Sequence, residues 1–390
     1  MSRRARPAPS RHRGAALAAS LLLALALAGC AVARPPPAAA PRVGTDAAGD
    51  YATRASVRRF AAEVAARRAL PADWVREQLA QARLQPRVQR LMMPKAVVAE
   101  RNWNAYRARI VEPARIDAGV AFWDEHAGWL ERAEREYGVP AAVVVGIVGV
   151  ETYYGRVTGG FRVLDALATL AFDFPAGRSD RSAFFRDELE AFLALAHAEG
   201  WDAAAVQGSF AGAIGLPQFM PSSIERFAID FDGDGRIDLA ANGADAIGSI
   251  ANFLARHGWQ RALPATFEVA PPEAIEDLAS MLAPDIEPSF DAAQFAQYGA
   301  RLEPAALGFG GKLALVRLDN GSEPPSYVAG TANFYALTRY NRSSSYAMAV
   351  LELGRAVERT RAVAAAPAPS PAAAAPAGNA ASAAAATPVR

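Results

Sequence analysis

Along the first third of the chain, apolar and aromatic residues recur at three- and four-residue steps. Val57, Phe60 and Val64 are followed by Trp74, Val75 and Leu79, and then by Phe122, Trp123, His126, Trp129, Leu130 and Ala133. That spacing gathers them on one face of a helix, so a helical region is predicted from Tyr51 to about Val139. Pro140 then stands at a helix start, where its missing N–H costs little. The stretch Ala141 to Val150 holds only apolar residues and glycine, which predicts a helix buried on every side. Further helices are expected at Asp165–Ala171, Arg181–Glu199 and Ala244–His257, and helical spacing returns from Ala332 to about Ala364.

Between Leu263 and Gly330 the pattern changes. Pro and Gly cluster there, and Leu313–Leu318 and Tyr327–Ala329 alternate as strands that would pair across the turn Asp319-Asn320-Gly321. The expected fold class is therefore mainly α, of α+β type, with a helical N-terminal region and core and a small strand-containing subdomain. The predicted organisation is a leader over 1–29, a linker over 30–50, a helical core over 51–262, the subdomain over 263–330, a return to the core over 331–364 and a tail over 365–390. That tail is almost entirely Ala, Pro and Ser, a composition that cannot bury enough apolar surface to fold. No solenoid-type repeat is visible.

Composition adds limits. The 52% hydrophobic fraction overstates the core, because alanine in the two tails inflates it. With 41 Lys and Arg against 40 Asp and Glu, the net charge is +1 and no broad cationic face is implied, which disfavours nucleic acid as a partner. At the N-terminus, Arg3, Arg4, Arg6, Arg11 and Arg13 precede an apolar run from Ala15 to Gly29 that is too short to span a bilayer comfortably. The run ends in Leu27-Ala28-Gly29-Cys30, which resembles the lipobox of bacterial lipoproteins. That resemblance implies cleavage before Cys30, lipidation of its thiol and tethering to a membrane on the periplasmic side. Cys30 is the only cysteine, so no intrachain disulfide competes for it. The Pro/Ala-rich residues from Ala31 to about Pro41 make a spacer. Ala31 after the cysteine, where an aspartate would retain enterobacterial lipoproteins at the inner membrane, implies the outer membrane by the same resemblance.

Glu151 follows the ten apolar or glycine residues and precedes Thr152-Tyr153-Tyr154-Gly155. A carboxyl held against such a helix is poorly hydrated. Desolvation disfavours its charged form and raises its pKa, as a general acid near neutral pH requires. The residues alone leave a second reading open, in which a glutamate at a helix end simply turns to solvent.

The motif Gly149-Val150-Glu151-Thr152-Tyr153-Tyr154-Gly155-Arg156 resembles the catalytic motif of the membrane-bound lytic transglycosylase B family. The likeness continues through Arg162-Val163-Leu164-Asp165-Ala166-Leu167-Ala168-Thr169-Leu170, then Gly208-Ser209-Phe210-Ala211-Gly212-Ala213-Ile214-Gly215 and Pro217-Gln218-Phe219-Met220-Pro221-Ser222-Ser223. It returns at Asn333-Phe334-Tyr335, Thr338-Arg339-Tyr340-Asn341 and Tyr346-Ala347-Met348, so the blocks span roughly residues 50 to 360 in family order. The resemblance implies a lysozyme-like fold and cleavage of peptidoglycan glycan strands by one carboxylate, Glu151. It protonates the leaving oxygen and then takes the proton of the muramic 6-hydroxyl, which closes a 1,6-anhydro ring. No cofactor is implied for catalysis. It also implies Ser209 as a hydrogen-bond partner of Glu151 or of the substrate acetamido group, and Gln218 as a sugar contact. Tyr335, Tyr340, Asn341 and Tyr346 are candidate cleft residues, since aromatic faces and amides suit sugar rings. The family often has two adjacent arginines soon after the proline of the Phe174-Pro175 pair. Here the stretch reads Ala176-Gly177-Arg178-Ser179-Asp180-Arg181, which leaves Arg181, with Arg178 second, to meet a peptide or lactyl carboxylate.

A hydrolysing glycosidase needs a second carboxylate facing the first, and the motif supplies no obvious one. Asp165, the nearest in sequence with Asp173, opens an apolar helical run and reads as a cap or structural residue. Two other functions use the same residues: a muramidase that admits water, and a wall-binding lipoprotein without catalysis. Proteins of a wall-synthesis complex are possible further partners.

Asp230-Phe231-Asp232-Gly233-Asp234-Gly235-Arg236-Ile237-Asp238 places oxygen ligands at positions one, three and five of an EF-hand-like loop, a turn glycine at six and the Arg236 carbonyl at seven. Such hard donors select Ca²⁺. Position twelve is Ala241, so the usual glutamate is absent. The family resemblance suggests a longer loop, 230–245, closed by Asp245. A bound ion would be structural and would screen carboxylates that otherwise repel.

Overall fold

The computed structural model describes residues 51–93 and 101–365. The leader, Cys30, the linker to residue 50 and the tail beyond 365 lie outside the described residues.

Six helices make up the N-terminal third: α1 (Ala55–Arg68), α2 (Ala72–Ala80), α3 (Pro86–Met92), α4 (Trp103–Ile110), α5 (Pro113–Glu125) and α6 (Ala127–Tyr137). The single pattern seen over Phe122–Tyr137 is two helices, because His126 leaves helical geometry (ψ 19°) and serves as the end of α5 and the start of α6. Next comes α7 (Ala141–Thr152), buried at every position as its sequence predicts. Its first free amide, on Ala141, is satisfied by the Glu134 carboxylate of α6 at 3.1 Å.

Strand β1 (Phe161–Arg162) pairs antiparallel with β2 (Gln207–Gly208), and between them lie α8 (Val163–Phe172) and α9 (Ser182–Ala198). Asp165 is 2% exposed and does not cap α8, whose N-cap is Arg162. Its carboxylate instead accepts from the Arg83 amide and the Gln85 side chain, tying the α2–α3 connection to α8. Helices α10 (Pro221–Phe227) and α11 (Gly243–Arg256) complete this half.

The remaining elements are β3 (Thr266–Ala270), α12 (Ile275–Leu282), α13 (Ala292–Gln297), β4 (Arg301–Leu302), α14 (Pro304–Leu307), β5 (Ala314–Asn320), β6 (Glu323–Gly330), α15 (Ala332–Tyr340) and α16 (Ser344–Ala365). The strand order is β4-β3-β6-β5, and β5 pairs with β6 as expected, with Val316 opposite Val328. Pro324 and Pro325 are tolerated in β6 because β3 pairs only with Val328–Gly330, past the prolines. Alternation along β5 feeds two cores. Leu313 and Leu315 join Phe267, Met281 and Phe295 under the short helices, while Ala314, Val316 and Leu318 join the main helical core. The helical pattern from Ala332 onward is broken at Asn341, whose extended backbone (ψ 120°) separates α15 from α16.

Helix α16 crosses α7. At the crossing, Gly146 lies against the Val350 carbonyl and Gly354 against the Ala142 carbonyl, too close for a Cβ at either position. This close approach brings the start of α16 to the end of α7.

Candidate active site

Glu151 occupies the last turn of α7 and is 8% exposed. The helix stops immediately after it because Tyr153 (φ 51°) and Tyr154 (φ 55°) adopt left-handed backbone, followed by Gly155 (φ 84°). Two bulky residues in that region carry strain, and contacts around both hold them there. The guanidiniums of Arg115 (4.5 Å) and Arg156 (4.9 Å) both lie over the Tyr153 ring, and its hydroxyl donates to Glu112 Oε1 at 3.2 Å. Tyr154 packs on Phe122, with its hydroxyl lodged against Gly119 and Gly149. Arg115 also donates to the Gly149 carbonyl at 3.1 Å. Thr152 Oγ1 lies 3.2 Å from both the Val148 and Leu216 carbonyls, joining the helix end to the Gly215–Phe219 segment.

From α16, Tyr346 donates its hydroxyl to Glu151 Oε1 at 2.7 Å. Burial raises the Glu151 pKa to about 7, against the opposing pull of this hydrogen bond, and no neighbouring carboxylate contributes. Tyr346 is itself pushed upward by burial and by the Glu151 charge. Tyr340 stacks on Tyr346, with centroids 6.3 Å apart and planes 16° apart, and donates to the Pro217 carbonyl at 2.6 Å. Glu151, Tyr346, Tyr340 and the Pro217–Phe219 segment thus form one connected cluster.

The partner of Glu151 is Tyr346 and not Ser209. Ser209 Oγ accepts the amides of Ala211 (3.3 Å) and Ala213 (3.0 Å), which shapes its own turn. Gln218, at φ 50°, donates its amide to the Thr158 and Gly215 carbonyls, leaving its carbonyl oxygen for a ligand. Gly208 and Gly215 make room for the backbone of Ala213 and Leu239. Asn341 is buried at the α15–α16 junction. Tyr335 carries the Arg339 guanidinium 4.1 Å above its ring. Arg181 lies over Phe184 and Phe185, and Arg178 donates to the Met92 carbonyl, so neither is held by the Glu151 cluster.

The fold that carries this site is similar to known proteins. Residues 52–355 match the family model described as a transglycosylase SLT domain. Over 325 residues the chain is 38% identical to the membrane-bound lytic murein transglycosylase B of Escherichia coli strain K12, covering 80% of this chain and 85% of that protein. The chain belongs to the transglycosylase SLT family. Its lytic transglycosylase fold superposes on E. coli Slt35 in complex with calcium with a TM-score of 0.70, at 38% identity and over 81% of this chain and 96% of that one. It also superposes on Pseudomonas aeruginosa SltB3 in complex with NAG-anhNAM-pentapeptide, with a TM-score of 0.66 at 28% identity, over 78% and 80% of the two chains.

Sequence reasoning missed Tyr106, Arg115 and Glu112. Tyr106 lies close enough to Glu151 for that charge to raise its pKa, added to the effect of burial. An aromatic on an amphipathic helix reads as core, and nothing local links α4 to a glutamate in α7. Glu112 caps α5 through the Ala114 amide, and such a cap is readable; its reach to Tyr153 is not.

In the acidic loop, carboxylate oxygens of Asp230, Asp232 and Asp245 come within 4.8 Å of one another. Asp245 is fully buried in the first turn of α11 and accepts the amides of Phe231 and Asp238, both at 2.8 Å. These donors fit a hard cation. Asp234 lies outside this trio, and its carboxylate accepts the Arg236 amide at 2.8 Å.

Proposed function

We propose that this lytic transglycosylase cleaves the β-1,4 bond between N-acetylmuramic acid and N-acetylglucosamine in peptidoglycan, with Glu151 as its single acid and base. The observation that carries this reading is a buried carboxyl that keeps its proton to about pH 7 and is aimed by one hydroxyl, that of Tyr346. Glu151 gives its proton to the glycosidic oxygen as the C1–O bond breaks, and the 2-acetamido oxygen shields the positive anomeric carbon. The carboxylate then takes the proton of the muramic 6-hydroxyl while O6 bonds to C1. No water is consumed, and Glu151 regains the proton it lost.

The commitments of the other carboxylates support one acid over two. Asp165 is held by Arg83, Gln85 and Arg162, and Asp173 by Tyr51 and Arg54. Gln218, Tyr340 and Tyr346 are assigned to the sugar cleft; Ser209, whose oxygen accepts two amides while its O–H remains a donor, is assigned to the substrate acetamido group; Tyr335 and Asn341 line its α15 side; Arg181 is left for stem-peptide carboxylates. Asp230, Asp232 and Asp245, with Asp234 and the Arg236 carbonyl nearby, hold Ca²⁺ in a structural role. The enzyme works in the periplasm, tethered through Cys30 to the outer membrane.

Digestion of isolated sacculi followed by mass spectrometry tests the chemistry. Anhydromuropeptides are expected, with loss of all product in Glu151→Gln. Reducing-end muropeptides would replace the reading with hydrolysis.

A further inference from the structure

A cavity of about 630 Å³ lies on the far side of the loop that backs the catalytic cluster. The Leu216 backbone separates the two: its carbonyl faces Thr152 at the end of α7, and its amide donates to the Leu239 carbonyl, 2.7 Å away, in the cavity wall. Ile214 and Leu239, both buried, supply an apolar floor. Three separate segments supply the rim. Glu199 and Trp201 follow α9, Gln207 opens β2, and Arg236 comes from the acidic loop.

These rim groups have little to do within the fold. Among the described residues, no hydrogen bond or ion pair engages the Glu199 carboxylate, the Trp201 indole N–H, the Gln207 amide or the Arg236 guanidinium. No ring or cation among the described residues stacks on Trp201, which packs against the core and lines the cavity. An apolar floor, one available indole and a few convergent donors and acceptors of both kinds are what a pyranose ring requires. One carboxylate and one guanidinium balance on the rim, and the Asp238 carboxylate beside them is occupied by the Ala240 and Ala241 amides. The site therefore has no cationic excess for an anionic ligand.

We propose that this cavity is a second, non-catalytic glycan site that takes an N-acetylglucosamine-type ring of the polymer through Trp201, Gln207 and Glu199. It rests on the reading of peptidoglycan as substrate, and it gives the enzyme a hold on an insoluble strand apart from the cleavage cleft.

The test uses the mature protein carrying Glu151→Gln, labelled at the indole nitrogens and titrated with the N-acetylglucosamine tetramer. The Trp201 indole signal, assigned by its loss in Trp201→Phe, should shift saturably. That readout needs no bond cleavage, so it stands or falls independently of the role of Glu151. In the active enzyme, Trp201→Ala should raise KM on intact sacculi about three- to tenfold, with kcat on short soluble fragments unchanged. Gln207→Ala should do the same to a smaller degree, and serves if Trp201→Ala folds poorly. An unmoved Trp201 signal at saturation of the catalytic cleft, or an unchanged KM on sacculi, would overturn the proposal.

Discussion

Glu151 keeps its proton into the neutral range because α7 removes it from water, while the Tyr346 hydroxyl favours the ionised form without cancelling the effect of burial. Its folded pKa lies above the unfolded one, so the sign is that of a penalty. Below about pH 4.5 the group is neutral in both states, and between there and pH 7 ionisation of the unfolded chain costs the fold up to about 3 kcal/mol. Glu151→Gln is therefore expected to melt higher than the parent at pH 8 and nearly level with it at pH 4; equal melting at both would show a solvated carboxyl. Activity needs the protonated acid, so kcat/KM should fall tenfold per pH unit above about 7. Tyr346→Phe removes the bond that favours the carboxylate and should move that limb to higher pH, with a lower maximal rate. A limb that stays in place would deny Tyr346 its hold on the acid. The sequence offers Glu151 as a candidate through its apolar run, but Tyr346 stands 195 residues away, and only the fold pairs them.

The α7–α16 crossing sets that pairing. Gly146 and Gly354 allow the helices to meet with backbone carbonyls where side chains would stand. Gly146→Val is expected to lose about 2–3 kcal/mol by overpacking, and to lose activity at temperatures where the fold is intact, because Tyr346 is carried away from Glu151. Thermal melts beside rate measurements check this; full activity in a destabilised variant would separate the crossing from the site. The acidic loop is a second element with a measurable consequence. If Ca²⁺ relieves the repulsion between Asp230, Asp232 and Asp245, chelation should lower the melting midpoint and added calcium restore it. No shift with chelator would leave the loop as a turn stabilised by its own amides. Its first half was legible from the Asp spacing. Asp245 was reached only through the family resemblance, and Asp234, whose carboxylate accepts the Arg236 amide, stands outside the trio.

At the scale of the molecule, a helical body carries the acid while the four-stranded sheet lends one face to it and the other to a core of its own. If Cys30 is the tether, Cys30→Ala should move the protein from the membrane to the soluble periplasmic fraction while its activity on sacculi in vitro is kept; retention with the membrane would point to another anchor. The sequence by itself determined the helices with strong periodicity, the pairing of β5 with β6 across a turn and Glu151 as the carboxyl against an apolar helix, because those features depend on neighbours a few residues apart. The breaks at His126 and Asn341 escaped it, since each is a backbone turn within continuing helical spacing. The company Glu151 keeps was decided by tertiary structure alone. Its depth of burial, the Tyr346 hydroxyl, the nearness of Tyr106 and the commitments of Asp165 and Asp173 elsewhere depend on which helices cross, and hydrophobic spacing says that a face is buried without saying against what.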